Sequence, residues 1–209
     1  MKKIIILAPI GICTILLTFF YKSVKIFEDV DMKRRSLNLG FSFAPDFYFN
    51  TFDEVTPEFL KSLGIKGILL DVDNTLEPYE NPKPTEKVIK WFASLKENGI
   101  SAALVSNNDK ARIDEFNKEL GLVAYCKVSK PSKKYLVKAM QDIGTTKDNT
   151  IMMGDQVFTD VWAAHNAGIP GILVPPIRDK RNLLTRVKRL LEKPILHRYF
   201  KKNKKREKV

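Results

Sequence analysis

Apolar residues in the middle of the chain come in five short runs. The first four are each followed by a polar cluster and then by a segment of helical period. The runs are 66–71 (centred on Ile68, Leu69 and Leu70), 101–105, 122–126, 150–153 and 171–174. Each is too short for a helix and is bounded by glycine or polar residues, which reads as a buried strand. Between them the spacing predicts helices over 84–98, 110–120, 132–143 and 157–167. Gly99, Gly121, Gly144 and Gly168 close them in turn, each able to take the left-handed cap conformation. A further helix starts at Thr56-Pro57-Glu58 and ends at Gly64. Strands alternating with helices require right-handed crossovers. The expected class is therefore α/β, a three-layer sandwich with a mostly parallel five-stranded sheet.

The ends of the chain follow a different pattern. Ile4 to Tyr21 is an uncharged stretch of 18 residues preceded by Lys2 and Lys3. As a helix it would span roughly 27 Å, against a hydrocarbon core of about 30 Å. It reads as an N-terminal transmembrane helix, with a membrane anchor over 1–25. A cleaved signal peptide is the alternative, although no small-residue cleavage site follows Tyr21. Lys22, Lys25, Lys33, Arg34 and Arg35 outnumber Lys2 and Lys3, so the domain after the anchor is expected on the cytoplasmic side. An aromatic-rich lead-in with the short helix fills 26–63. Its Phe41, Phe43, Phe47, Tyr48, Phe49 and Phe52 either pack on the domain or sit at a lipid interface. The main domain is expected over 64–178 and a basic amphipathic helix and tail over 179–209. In that last part Leu183, Leu184, Val187, Leu190 and Leu191 recur at helical spacing, and Pro194 is expected to end the helix.

Charge sharpens this division. The formal net charge is +12, and residues 178–209 alone carry 14 Lys/Arg against 3 Asp/Glu. A nearly neutral domain thus ends in a basic segment, either a solvated packing helix or an element resting on an anionic membrane surface. Nothing resembling an aromatic-and-basic RNA motif accompanies it, so no nucleic acid partner is expected. Two cysteines, Cys13 and Cys126, exclude a disulfide scaffold and a cysteine-rich zinc site. The oligomeric state is not legible.

Ligands of parallel α/β sheets bind at the carboxyl ends of the strands. Four polar clusters lie there: Asp71-Val72-Asp73-Asn74-Thr75, Ser106-Asn107-Asn108, Lys130-Pro131, and Gly154 through Asp160. Asp71, Asp73, Asp155 and Asp160 would converge on one sheet edge with one lysine. Four carboxylates cannot all stay ionised there without a cation, because like charges raise each other's pKa. A hard divalent ion with oxygen ligands answers this, and Mg²⁺ suits a site that also holds a phosphate. Lys130, the Ser106 hydroxyl and loop N–H groups could bind that phosphate. A carboxylate can attack phosphorus to give an aspartyl-phosphate, and a second one can move the protons.

These four clusters, in this order, resemble the motifs of the haloacid dehalogenase (HAD) superfamily of phosphatases, whose fold is a HAD-like Rossmannoid sandwich. The resemblance implies Asp71 as nucleophile and Asp73 as general acid/base. It implies Thr75, Ser106, Asn107 and Lys130 around the phosphoryl group, with Thr75 supporting the first loop. Asp71, Asp73 (through its backbone carbonyl), Asp155 and Asp160 would serve Mg²⁺, Asp160 from farther out. The runs Gly64 to Leu76, Val105 to Asn108 and Gly154 to Asp160 are similar to the YqeG-like, subfamily IIIA branch. That branch is similar in turn to mitochondrial phosphatidylglycerophosphatases, so the implied activity is release of phosphate from phosphatidylglycerophosphate, a phosphorylated lipid. The connections after Asp73 and Ser106 leave no room for a cap domain. The alternatives are a phosphatase for a soluble phosphomonoester and, in a different class, a non-catalytic basic membrane- or RNA-binding module on the same fold. His165, His197, Trp91 and Trp162 read as packing or surface residues.

Overall fold

The computed structural model describes residues 43–178 and 183–206, so the anchor expected over 1–25 lies outside them. Six strands make one sheet: β1 (Phe47–Tyr48), β2 (Gly67–Leu70), β3 (Ser101–Val105), β4 (Val123–Tyr125), β5 (Thr150–Gly154) and β6 (Gly171–Leu173). Their order is β1-β6-β5-β2-β3-β4, and every pairing is parallel. The expected sheet had five strands; the sixth, β1, comes from the aromatic lead-in. Only two of its residues pair with β6, with Asp46 N–H donating to Gly171 O and Phe49 N–H to Leu173 O on either side. A two-residue strand has no period to read.

The central strands are buried on both faces, as parallel sheets require. Leu69, Met152, Ala103 and Val105 join Val128, Leu136, Ala139, Met140, Ala163, Ala164 and Ile169 in one core. Alternation sends Ile68, Leu70, Leu104, Ile151 and Met153 to the opposite face, where all are fully buried. The helices are α1 (Pro57–Ser62), α2 (Glu86–Glu97), α3 (Lys110–Asn117), α4 (Lys134–Asp142), α5 (Trp162–Ala167) and α6 (Leu183–Arg206). Thr56 caps α1 by accepting from Phe59 N–H at 3.2 Å, as the Thr-Pro-Glu start implies. Among the described residues the lead-in aromatics pack on the domain; Phe41 lies outside them. Phe47 and Phe49 meet Phe59 edge-on, Phe52 meets Trp91, and Phe43 meets Phe158 and Trp162. His165 pairs with Asp46 at 2.9 Å, a partner 119 residues away.

Two helix expectations need correction. The segment 157–167 is not one α-helix. Val157–Val161 forms a π turn, with Val161 N–H reaching back five residues to Gln156 O, and only then does α5 begin. Pro194 does not end the last helix, which continues through it to Arg206. A proline inside a helix costs about 3 kcal/mol, partly through the carbonyl it leaves unpaired four residues earlier. That carbonyl belongs to Leu190, whose residue is 60% exposed, so water can satisfy it. Inward residues on both sides of the proline hold the helix down. Glu192 is buried, Ile195 and Leu196 pack on Val157, Val161 and Leu173, and Phe200 meets Tyr48 edge-on at 4.9 Å.

Leu69 lies at the centre of this core, so Leu69→Ala is expected to destabilise the fold by about 2–5 kcal/mol. Urea unfolding followed by circular dichroism measures this. A loss well under about 1 kcal/mol would contradict the described packing.

Candidate active site

From β2 the chain winds outward through β3 and β4, whereas β5 and β6 lie on the other side of β2. Such a reversal opens a crevice at the carboxyl ends of the two central strands. Leu70 and Met153 are in register, and Asp71 N–H donates to Met153 O at 3.0 Å. Asp71 after β2 and Asp155 after β5 therefore flank the crevice. Beyond Asp71 the chain turns sharply. Asn74 takes a left-handed conformation (φ 63°), and its N–H donates to Glu77 O at 2.6 Å.

Lys130 is the hub. Its side chain is 1% exposed, yet three oxygens surround its ammonium. Nζ donates to Asp71 Oδ1 at 2.6 Å and to Val105 O at 2.8 Å, and it pairs with Asp160 Oδ1 at 2.7 Å. Asn107 brackets the backbone of the same residue, its Oδ1 accepting from Lys130 N–H at 2.7 Å. Burial disfavours the ammonium, but Asp160 and Asp71 outweigh that and hold its pKa above the ordinary lysine value. For Asp71, burial dominates and raises the pKa, and Asp160 and Asp155 raise it further against the pull of Lys130.

Every candidate site residue expected from the sequence is at or beside the crevice. A cleft of about 350 Å³ is lined by Asp71, Asp73, Ser106, Asn107, Lys130 and Asp160. Thr75, expected near phosphate, is buried and turns its hydroxyl to Asp71 Oδ2 at 3.3 Å. Asp155 is buried and outside the lining. Asp73 is held by two side chains: Asn108 Nδ2 donates to Oδ2 at 2.9 Å, and Arg112 lies 3.2 Å from Oδ1. Ser106 Oγ accepts from Asn108 N–H at 3.1 Å. The π turn brings Thr159 and Asp160 to the cleft, and Asp160 Oδ2 accepts from Gln156 N–H at 3.0 Å.

Several residues of the site were not foreseen. Tyr79 also lines the cleft and Arg112 holds Asp73, while Asn108, Gln156 and Thr159, members of the expected polar clusters with no role assigned to them, line it too. From α6, Arg189 pairs with the Asp155 carboxylate and donates to the Asp155 carbonyl. Glu192 accepts from Val157 N–H at 2.8 Å and from Arg189 at 3.0 Å. The available signal was that Glu192 is the lone acidic residue between 183 and 206. Its helix-mates gave no sign of which groups it would meet.

Carboxylate oxygens of Asp71, Asp155 and Asp160 lie within 4.8 Å of one another, close enough to share one cation. Among the described residues, ion pairs join these carboxylates and Asp73 to Arg112, Lys130 and Arg189. All the donors are hard oxygens, so the residues fit Mg²⁺.

A crevice at the switch point of a parallel sheet, with paired aspartates after one strand and a buried lysine across from them, is the arrangement of a HAD-type hydrolase. Residues 48–174 match the haloacid dehalogenase-like hydrolase family, and the chain belongs to it. The chain is 36% identical over 154 residues to the Bacillus subtilis (strain 168) protein named "Probable phosphatase YqeG", covering 74% of this chain and 90% of that one. It is 30% identical over 156 residues to an Arabidopsis thaliana protein, phosphatidylglycerophosphate phosphatase 1, chloroplastic/mitochondrial, covering 69% of this chain and 44% of that one. The chain is thus an enzyme of the family's phosphatase kind.

Gly154 allows Asp160 to fold back over the end of β5. A Cβ at position 154 would stand 2.3 Å from Asp160 Cγ, far inside contact distance. Gly154→Ala is therefore expected to push Asp160 away from Lys130 and to cost about 1–3 kcal/mol of stability. Phosphatase turnover should fall with it. Wild-type turnover together with a wild-type unfolding curve would contradict this arrangement.

Proposed function

We propose that the protein is a Mg²⁺-dependent phosphatase that works through an aspartyl-phosphate on Asp71, with phosphatidylglycerophosphate as substrate. The observation that carries the catalytic reading is the buried Lys130, bridging Asp71 and Asp160 beside Asp73 in one cleft. A lysine there neutralises the nucleophile's surroundings and offers charge to an entering phosphoryl group. Ser106 and Asn107 line the same cleft and add polar groups to bind its oxygens. Thr75, through its contact with Asp71 Oδ2, keeps the carboxylate turned towards the cleft.

In the first step an Asp71 oxygen forms a bond to phosphorus while the bond to the leaving oxygen breaks. Asp73 gives that oxygen its proton. In the second step water attacks phosphorus, Asp73 takes a proton from it, and the bond to Asp71 breaks to release inorganic phosphate. Asn108 and Arg112 hold Asp73 at the cleft through both steps. Bound by Asp71, Asp155 and the Asp73 carbonyl, with Asp160 nearby, Mg²⁺ would supply positive charge for the transferring phosphoryl group and keep Asp71 ionised despite its burial.

The lipid assignment rests on three supports. The plant relative carries that activity in its name. No cap domain is expected over the cleft, because the connections 71–85 and 106–109 are short, and an uncapped site would admit a bulky substrate. The outer side of α6 exposes Leu190 and Leu191 (60% and 57%) among exposed Lys193, Arg198, Lys201 and Lys202, chemistry suited to an anionic membrane surface. Among the described residues no helix is long and apolar enough to cross a membrane. The expected anchor over 1–25, with the domain on the cytoplasmic side, remains part of the proposal. Confinement to a leaflet would raise the effective concentration of a phospholipid substrate.

Purified protein should release phosphate from phosphatidylglycerophosphate in anionic vesicles with a higher kcat/KM than from glycerol phosphate or nucleotides. EDTA should stop turnover and Mg²⁺ restore it. Asp71→Asn should fold and show no turnover, since an amide cannot form the aspartyl-phosphate. A preference for soluble phosphomonoesters would overturn the lipid assignment and leave the phosphatase. Undiminished turnover of Asp71→Asn would overturn the mechanism. No phosphate release from any of these substrates would overturn the lipid assignment and place the substrate in another class of phosphomonoester.

A further inference from the structure

The basic C-terminal helix reaches into the active site. Arg189 on α6 sits 34 residues beyond Asp155, yet its guanidinium forks around that residue. One nitrogen pairs with the carboxylate Oδ2, and the other donates to the Asp155 carbonyl and, at 3.0 Å, to Glu192 Oε2. The other oxygen of Glu192, Oε1, accepts from Val157 N–H at 2.8 Å, at the first residue of the π turn. The Arg189 side chain is 14% exposed, and those of Asp155 and Glu192 are 0% and 3% exposed. A buried charge-assisted network of this kind fixes its members in one geometry, because any one left unpaired is costly.

We propose that Arg189 and Glu192 form a latch by which α6 positions Asp155 for Mg²⁺, so the metal site is complete only when the C-terminal helix is docked. This rests on the Mg²⁺-dependent reading given above. Arg189 is a positioning residue: it engages one oxygen and the backbone of Asp155, fixing how the carboxylate is turned towards Asp71 and Asp160. Glu192 does the same for the backbone after Asp155, tethering the turn that delivers Asp160. Partners of this kind, one step removed from a metal, typically change metal affinity by roughly 10–100-fold when lost. Mere charge predicts the opposite. Removing a cation beside Asp155 leaves the site more negative and should tighten Mg²⁺ binding. The sign of the change therefore separates positioning from electrostatics.

The test is Mg²⁺ binding to the purified full chain without substrate, by isothermal titration calorimetry, with circular dichroism and thermal unfolding in EDTA as fold controls. Arg189→Gln is expected to fold and to bind Mg²⁺ roughly 10–100-fold more weakly. Its residual phosphatase activity should recover at high Mg²⁺ with substrate KM unchanged, which general damage to the fold would not produce. Arg189→Lys keeps the charge and loses the fork, so its affinity should lie between the two; it carries the test if Arg189→Gln does not fold. In the unmodified protein, Mg²⁺ should slow amide exchange across 185–200, because the coupling is reciprocal. Equal or tighter Mg²⁺ binding in the variants overturns the latch, as does exchange in α6 that is indifferent to Mg²⁺. A wild-type protein that binds no Mg²⁺ overturns the metal reading itself, and the latch with it.

Discussion

The active end of the molecule is organised around charge that cannot reach water. Lys130 carries its ammonium in an almost fully buried position, and that is tolerable only because Asp71, Asp160 and the Val105 carbonyl surround it. Those partners come from three strand ends that meet only in a parallel sheet of this order. β2 presents Asp71, β3 presents Val105, and β5 presents Asp160 by way of the π turn. Asn107, just beyond β3, fixes the lysine backbone. Packing, register and the absence of a side chain at Gly154 all converge on keeping these few atoms in place.

The same constraint accounts for which parts of the molecule could be read from the chain. Short apolar runs bounded by glycine or polar residues identify β2 through β6, and β2, β5 and β6 are buried throughout. The catalytic loops were legible because a parallel sheet puts its chemistry immediately after its strands. Asp71, Ser106 and Asp155 each follow a strand within one or two residues. Contacts between distant parts of the chain left no such trace. β1 owes its existence to pairing with β6, not to a pattern of its own. The π turn at Val157–Val161 has the composition of an ordinary first helical turn. Arg189 and Arg112 look like two more surface arginines until the fold sets them against Asp155 and Asp73. Pro194 signalled a helix end on local grounds, and packing on both sides of it overrode that signal.

The last helix thereby takes on a second character. Read along the chain it is a basic amphipathic segment, and its exposed Leu190 and Leu191 among lysines keep that meaning. Its inner side, through Arg189, Glu192, Ile195 and Leu196, belongs to the catalytic domain. In the reading proposed here one element faces the leaflet that holds the substrate and also supports the residue that holds the metal. Catalytic competence and membrane apposition would then share a single structural part.

The central claim is that Asp71 is phosphorylated during turnover, and trapping that species tests it most directly. Wild-type protein mixed with substrate and Mg²⁺, quenched in acid within a turnover and digested, should yield a phosphorylated peptide whose modified residue is Asp71. The label should disappear on longer incubation as inorganic phosphate accumulates. Phosphate release with no modified peptide at any time point, or with the phosphoryl group on a different residue, would contradict the account.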